Sequence, residues 1–321
     1  MAALSAWALT TGEAGMRSQA RGLALAVAGQ VTERTVRLRW PWSWLRAGAP
    51  GVLGAIEATD GAPLGPPWPD LIVTCGRRAG MAGVALKTAA GGGPLLVHVQ
   101  DPLADPGLFD LIVAMEHDDI AGPKVLKVLT ALHHLTTDRL AAAGAEWRPR
   151  LAHLPRPLTG VLLGGPAKHG PFGVPEASLL RDRLLAHCRA TGGGAAIVPS
   201  RRTPDAALAV FAEAARADPV LWVWDRSGDN PYAGLLATAD RLVVTGDSVS
   251  MISEALATPH PVEIFTATVR RRHEGFLQTL VDRGYARLFD GTLAEPRARP
   301  RLDATEDAAR AVRKLLATRG R

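Results

Sequence analysis

The sequence predicts an α/β protein made of two successive open lobes, each a parallel sheet covered by helices. Three observations carry this. First, the strand candidates are short, continuous apolar runs, among them 71–74 (LIVT), 95–99 (LLVHV), 111–114 (LIVA) and 195–198 (AAIV). Such runs mark strands buried on both faces, and helical segments separate several of them. Second, polar or glycine-rich turns follow their C-terminal ends, where open α/β sheets bind ligands. Third, the pattern restarts after the Pro-rich stretch 153–157 (HLPRP), which reads as a linker. Two halves of similar size imply two lobes with a cleft between them.

Composition bounds the class. The 321 residues are 47% hydrophobic and 21% charged, enough for two folded domains. The two cysteines, Cys75 and Cys188, are far apart, which argues against a disulfide framework or a cysteine zinc site and suits buried small apolar residues. No apolar run reaches the ~18 residues of a membrane span. The N-terminus lacks a cationic signal region, so a cytoplasmic protein is expected. The net charge of +6 suits anionic partners. The basic residues are scattered, and the densest groups, at 270–272 and 297–301, are not interleaved with aromatics. They read as solvated faces, so nucleic acid is not an expected partner.

In the first half, 7–10 (WALT) is a strand, TGEAG at 11–15 a turn and 18–28 a helix, with a second strand at 36–38. Residues 40–69, rich in Trp, Gly and Pro, form a long connection with one short helix. Trp40, Trp42 and Trp44 are assigned to the core, the alternative being an exposed patch that suits a lipid or protein acceptor. After strand 71–74, CGRRAG leads into a helix at 79–89. Arg77 and Arg78 at its start oppose the helix dipole, an arrangement that an anion would relieve. Strands 95–99 and 111–114 end at Gln100-Asp101-Pro102 and at MEHDD (115–119). A helix covers 136–151.

The second half repeats the pattern. Strand 160–163 (GVLL) leads into the turn GGPAKHG (164–170), and a helix covers 175–190. Strand 195–198 leads into PSRRTP (199–204), with a helix at 205–217. Strand 220–224 (VLWVW) is followed by DRSGDN and a short helix begun by Pro231. Then comes 242–254 (LVVTGDSVSMISE): a strand, a tight polar turn and a helix. A strand at 262–265 and helices at 270–283 and 304–318 complete the chain.

The turns of the second half suit a nucleoside-diphosphate sugar. Gly164 and Gly165 let backbone amides approach a ligand, while Lys168, Arg201 and Arg202 supply cations, arginine holding a diphosphate in bidentate fashion. Ser200 accompanies the arginines. Thr245, Gly246, Asp247, Ser248, Ser250 and Met251 form an anion-favouring helix N-terminus, and Glu254 offers a carboxylate to ribose hydroxyls. An ordinary βα turn with a good cap is the plainer reading of that last stretch. For a base in the first half, Glu13, Asp101, His117 and Asp118 follow strands, and each also fits a plain cap or loop anchor. A phosphate-binding GxxxxGK[ST] loop, a GxGxxG, an HExxH and a GxSxG are all missing, and the nine histidines lack metal-ligand spacing, so no metal site is expected.

VTGDSVSMISEA (244–255), PSRRTP and DNPYAGLLATAD (229–240) resemble the "elongate mitochondria" family of mitochondrial-fission proteins. LTTGEAGMRSQARGLA, CGRRAG, FDLIVAMEHDDIAGP and LLGGPAKHG agree with it in order and spacing, so the resemblance covers nearly the whole chain. It implies a GT-B-like fold: two Rossmann-like lobes with parallel sheets facing a central cleft, and a nucleotide-sugar mainly on the C-terminal one. The implied units are 1–153 on the acceptor side, 154–303 on the donor side, and a terminal helix, 304–321, crossing back to the first lobe. The family's GG turn falls at Gly164 and Gly165, its paired arginines at Arg201 and Arg202, and its glutamate at Glu254. Where its first loop often carries a basic residue and a His, this chain has Glu13 and Met16. The implied function is glycosyl transfer from a nucleotide-sugar to an envelope or lipid acceptor, at the inner face of a membrane. The alternatives are a non-catalytic scaffold and a sugar-nucleotide epimerase on the same fold.

Overall fold

The computed structural model describes residues 3–45, 48–165, 172–268, 271–291 and 299–319. They form two compact units: Met1–His134 with Asp303–Arg321, and Leu135–Leu302.

The first unit runs β1 (Ser5–Thr10), α1 (Ala14–Val27), β2 (Gln30–Leu38), two 3-10 turns (Trp42–Trp44 and Val52–Ala55) and β3 (Ile56–Ala58). It continues with β4 (Leu71–Cys75), α2 (Arg77–Ala89), β5 (Leu95–Val99), β6 (Leu111–Met115) and β7 (Val125–Val128). The sheet order is β3-β2-β1-β4-β5-β6-β7. Every pairing is parallel except β2 with β3. Every residue of β4 and β5 is buried, which explains their unbroken apolar sequences. The C-terminal helix Ala304–Arg319 buries Ala304, Ala308, Ala309 and Val312 in the same core as Leu23 and Ala24 of α1. Thr305 holds its start: the hydroxyl accepts from the His133 amide at 2.9 Å and donates to the His133 carbonyl at 3.2 Å.

The second unit runs α3 (Thr137–Arg150), β8 (Leu158–Leu163), α4 (Val174–Thr191), β9 (Gly194–Pro199), α5 (Asp205–Ala217) and β10 (Leu221–Val223). Then follow α6 (Tyr232–Thr238), β11 (Arg241–Thr245), α7 (Val249–Leu256), β12 (Val262–Phe265), α8 (Arg271–Asp282) and β13 (Arg287–Leu288). Its sheet, β10-β9-β8-β11-β12-β13, is parallel throughout. Val161, Leu163, Leu184, Phe211 and Phe265 belong to its core. No helix among the described residues is long and apolar enough to cross a membrane.

Several expectations change. The division falls before α3, at 134/135, and not at 153/154. The cause is packing: the Trp147 indole of α3 lies so close over Gly234 of α6 that a Cβ there would come within 2.2 Å of the ring. The Pro-rich stretch is no linker, because the carbonyls of Pro155 and Pro157 both accept from the Gly194 amide, at 3.0 and 3.2 Å. Trp40 and Trp44 are not core residues but are 78% and 77% exposed. The arginine pair opening α2 is not waiting for an anion at Arg77, whose guanidinium donates to the carbonyls of Ser43 and Leu45 at 2.7 and 2.8 Å. The tail arginines are not simply a solvated face. Arg299 donates to the carbonyls of Ala255, Leu256, Thr258 and His260 at 2.9–3.1 Å, closing the C-terminal end of α7. Burial brings its guanidinium down to about 10. The short strands β3, β7 and β13 escape the sequence reading, since edge strands of two to four residues carry little periodic signal.

Candidate functional site

In the second sheet β8 leads outward through β9 to β10, and β11 leads the other way through β12 to β13. The order reverses between β8 and β11, and the space beyond the C-terminal ends of those two strands is the ligand crevice of a Rossmann-type lobe. Three turns meet there: Gly164-Gly165 after β8, 200–203 after β9 and 246–248 after β11.

Their meeting is closely packed and hydrogen-bonded. The Gly164 amide donates to Thr245 Oγ1 at 2.7 Å, and the Gly165 amide donates to Asp247 Oδ2 at 2.8 Å. A Cβ on Gly164 would stand 2.2 Å from Asp247 Oδ2, and one on Gly165 would stand 2.1 Å from the Arg202 carbonyl oxygen. Only glycine fits at either position. Both amides serve the protein itself and are not held open for a ligand.

The turn after β9 is closed by its own hydroxyls. Ser200 Oγ donates to the Gly164 carbonyl at 3.0 Å, and Thr203 Oγ1 accepts from the Ser200 amide at 2.9 Å and reaches the carbonyls of Leu163 and Gly164. Arg226 braces the turn from outside, bonding Asp205 Oδ1 at 2.6 Å and the carbonyls of Ser200 and Thr203. The effect is to hold the turn's backbone fixed while Arg201 and Arg202 stay exposed. The Arg202 guanidinium lies 3.8 Å from Asp247 Oδ2, a loose pairing in water. Asp247 is itself buried, and its Oδ1 has no hydrogen-bond partner.

The turn after β11 begins with the Gly246 amide donating to the Phe265 carbonyl at 3.0 Å. Ser248 caps α7, its hydroxyl accepting from the Met251 amide at 3.5 Å. Ser250 is exposed on the first turn of α7 and Met251 is buried. The first amides of a helix have no intrahelical partners, so this end is favourable to an anion. One turn and a half along, Glu254 is buried, and Tyr232 Oη donates to its Oε2. Burial pushes the Glu254 carboxyl up to about 7, against the opposing pull of the Tyr232 hydrogen bond. The same burial and the adjacent carboxylate hold the Tyr232 phenol well above its ordinary range.

Of the residues expected on the donor side, Lys168 lies outside the described residues, Thr245 ends β11, and the rest lie on these three turns and α7. Thr203, Arg226 and Tyr232 were not anticipated. Thr203 sits inside the SRRTP motif and was legible there; the reach of Arg226 and Tyr232 across the lobe has no sequence signal.

In the first unit three of the four candidate bases are anchors. Glu13 precedes α1 and accepts from Thr11 Oγ1 at 2.6 Å. Asp101 accepts from the Leu103 amide at 2.7 Å, and Asp118 from the Met115 amide at 2.9 Å. His117 is 62% exposed, its Nε2 3.8 Å from Asp118. Among the described residues, no cluster of three or more His, Cys, Asp or Glu could hold a metal ion.

A sequence model of the family described as Mitochondrial fission ELM1 matches residues 14–316. The chain belongs to that family. The mitochondrial fission protein ELM1 of Arabidopsis thaliana is 31% identical over 278 residues, covering 78% of this chain and 65% of the plant protein. The chain therefore spans just under two thirds of that relative's length. The uncharacterized protein RP120 of Rickettsia prowazekii is 27% identical over 261 residues, covering 70% of this chain and 73% of its own. Among solved structures, the UDP-GlcNAc 2-epimerase of Methanocaldococcus jannaschii superposes with a TM-score of 0.59 at 12% identity, covering 98% of this chain and 99% of that one. The Neisseria meningitidis UDP-GlcNAc 2-epimerase, solved bound to UDP-GlcNAc, gives 0.52 at 12% identity over 98% of this chain and 92% of that one. At such identities the likeness is one of fold, the pair of parallel-sheet lobes typical of GT-B proteins.

Proposed function

We propose that the second lobe of this family member binds a nucleoside-diphosphate sugar, and that the protein transfers the glycosyl group to an acceptor of lipid or envelope type. The observation that carries the reading is the convergence of three polar turns at the sheet's reversal point. Their backbones are fixed by internal hydrogen bonds, and two exposed arginines are left beside a helix N-terminus. Arg201 and Arg202 would take the diphosphate, with the amides of α7 adding dipole stabilisation. Glu254 would accept ribose hydroxyls, with Tyr232 orienting its carboxylate. The bound ligand named for the Neisseria structure is of this class.

Thermal-shift screening with UDP, GDP, ADP and CMP sugars at millimolar concentration tests the binding. The expected result is stabilisation by one nucleotide class, weakened by Arg201→Ala and by Glu254→Ala. No stabilisation by any of them removes the donor reading, and an undiminished shift in both variants removes the site.

A second reading is favoured by a specific observation: of the four candidate bases, Glu13, Asp101 and Asp118 are occupied in closing their own loops, and His117 is largely exposed. On that reading the lobe binds a nucleotide-sugar without turning it over and the protein serves as a scaffold. Product analysis with labelled donor separates the readings: glycosyl transfer needs added acceptor, epimerisation appears without one, and a scaffold gives neither.

A further inference from the structure

Trp40 and Trp44 are the most exposed large hydrophobic side chains among the described residues. They are not the product of a slack loop. Trp42, between them, packs inward against the cluster of Leu38, Val52 and Met81, and its Nε1 donates to the Pro50 carbonyl at 3.0 Å. The Arg39 amide donates to the Ala55 carbonyl at 3.0 Å, which ties the loop to the turn Val52–Ala55. Arg77 grips the carbonyls of Ser43 and Leu45 from the start of α2. A loop anchored at three points thus presents two indoles to solvent, and Leu45 and Leu53, at the end of the first turn and within the second, are 40% and 48% exposed. Holding that much apolar surface in water is unfavourable without a partner.

The rim defines the partner's charge. Arg37 and Arg39 precede Trp40 in sequence, with side chains 72% and 58% exposed, and share a single carboxylate, Glu57. Arg78 is exposed on the first turn of α2, next to Arg77. Glu57 is the carboxylate paired within this set of three arginines, which leaves cationic charge in excess. Indole rings settle at the headgroup level of a bilayer, where the apolar ring and the N–H are both satisfied, and a cationic rim adds attraction to anionic lipid. A second copy meeting this face isologously would set arginine against arginine.

We propose that the loop of Trp40 and Trp44, with the turn Val52–Ala55, docks the first lobe on an anionic lipid bilayer. The two indoles enter the headgroup layer and the arginines contact lipid phosphates. This docking does not depend on donor binding by the second lobe.

The test is sedimentation of the full chain with vesicles of phosphatidylcholine alone, and of phosphatidylcholine and phosphatidylglycerol in equal parts. The wild-type protein is expected to sediment with the mixed vesicles, less so at high salt. W40S/W44S should lower the partition constant by on the order of tenfold or more, W40F/W44F should retain most of it, and R78Q should weaken it only with anionic vesicles. Circular dichroism and the nucleotide-sugar thermal shift, measured on the same variants, keep misfolding and donor binding separate. No wild-type binding overturns the proposal, as does equal binding by wild type and W40S/W44S. Concentration-dependent self-association that W40S/W44S abolishes, without vesicle binding, overturns it in favour of a protein partner.

Discussion

The buried pair of Glu254 and Tyr232 makes the stability of the second lobe depend on pH in a direction opposite to that of most paired carboxylates. Glu254 has an ordinary value of 4.5 and is raised to about 7 by burial. Between these values the folded lobe keeps a proton that the unfolded chain releases. The contribution of this group is therefore fully present below pH 4.5 and is lost as pH rises to about 7, beyond which the loss is constant. The interval from 4.5 to about 7, at about 1.4 kcal/mol per pH unit, comes to about 3 kcal/mol. Glu254→Gln carries no proton to lose and still accepts from the Tyr232 hydroxyl, so it should not show this loss. Relative to its value at acid pH, the wild-type lobe should fall behind the Gln variant by about 3 kcal/mol at pH 8.

The difference between the two proteins isolates Glu254, because Glu263 is also raised by burial and contributes to either curve alone. Pulse-labelling hydrogen exchange along a urea series, read on peptides from β11, reports the second lobe without interference from the first. Tyr232→Phe supplies an internal check. Its hydroxyl favours the ionised carboxylate, so its loss should move the wild-type fall to higher pH. Parallel curves for wild type and Glu254→Gln, or a Gln variant that loses more stability than wild type on going alkaline, would refute the reasoning.

Other expectations follow from single contacts. Gly165→Ala forces a methyl against the Arg202 carbonyl at 2.1 Å and should cost about 1–3 kcal/mol, seen as a lower urea midpoint, and should abolish any nucleotide thermal shift. Gly234→Ala drives a Cβ into the Trp147 ring and should loosen α3 from α6, with faster exchange across Thr137–Arg150 and a similar cost of about 1–3 kcal/mol. Arg299→Ala leaves four carbonyls at the end of α7 without their charged donor and should destabilise the second lobe by about 1–3 kcal/mol, measured by the same urea series. Thr305→Val removes both bonds to the His133 backbone and should raise exchange in the C-terminal helix while leaving β11 protected.

The parts legible in the sequence share one physical basis. A strand such as Leu71–Cys75, buried at every position, must be apolar at every position, so its sequence declares its place in a two-sided sheet. The turn chemistry after such strands is equally local: Ser248 caps α7, and Thr203 and Ser200 close their own loop. What the sequence does not carry is who competes for a group once the lobe closes. Trp147 on Gly234 moves α3 across the expected domain boundary, and Pro155 and Pro157, which signal a linker by composition, are held by the Gly194 amide. Both are contacts between residues well separated in the chain, and no periodicity records them.

The same distinction changes what the GG turn means. Two glycines after a β-strand suggest amides kept open for phosphate, but Gly164 and Gly165 give theirs to Thr245 and Asp247. Their lack of a side chain is needed because Asp247 and the Arg202 carbonyl approach within a distance that no Cβ tolerates. The glycines then act through geometry: they let the turns after β8, β9 and β11 lock together, and the locked backbone fixes where Arg201 and Arg202 emerge. On the proposed reading, a turn backbone fixed in this way would let the two arginines meet a diphosphate without first ordering a loop, which lowers the cost of binding. Asp247 is the keystone, because one of its oxygens holds Gly165 while it also lies 3.8 Å from Arg202. Asp247→Asn keeps the shape but can still accept from Gly165 while losing the charge that faces Arg202. If preorganisation by the turns is what matters, this variant should retain the nucleotide thermal shift, whereas Gly165→Ala, which leaves every charge in place, should lose it. The reverse outcome would make the site one of charge alone.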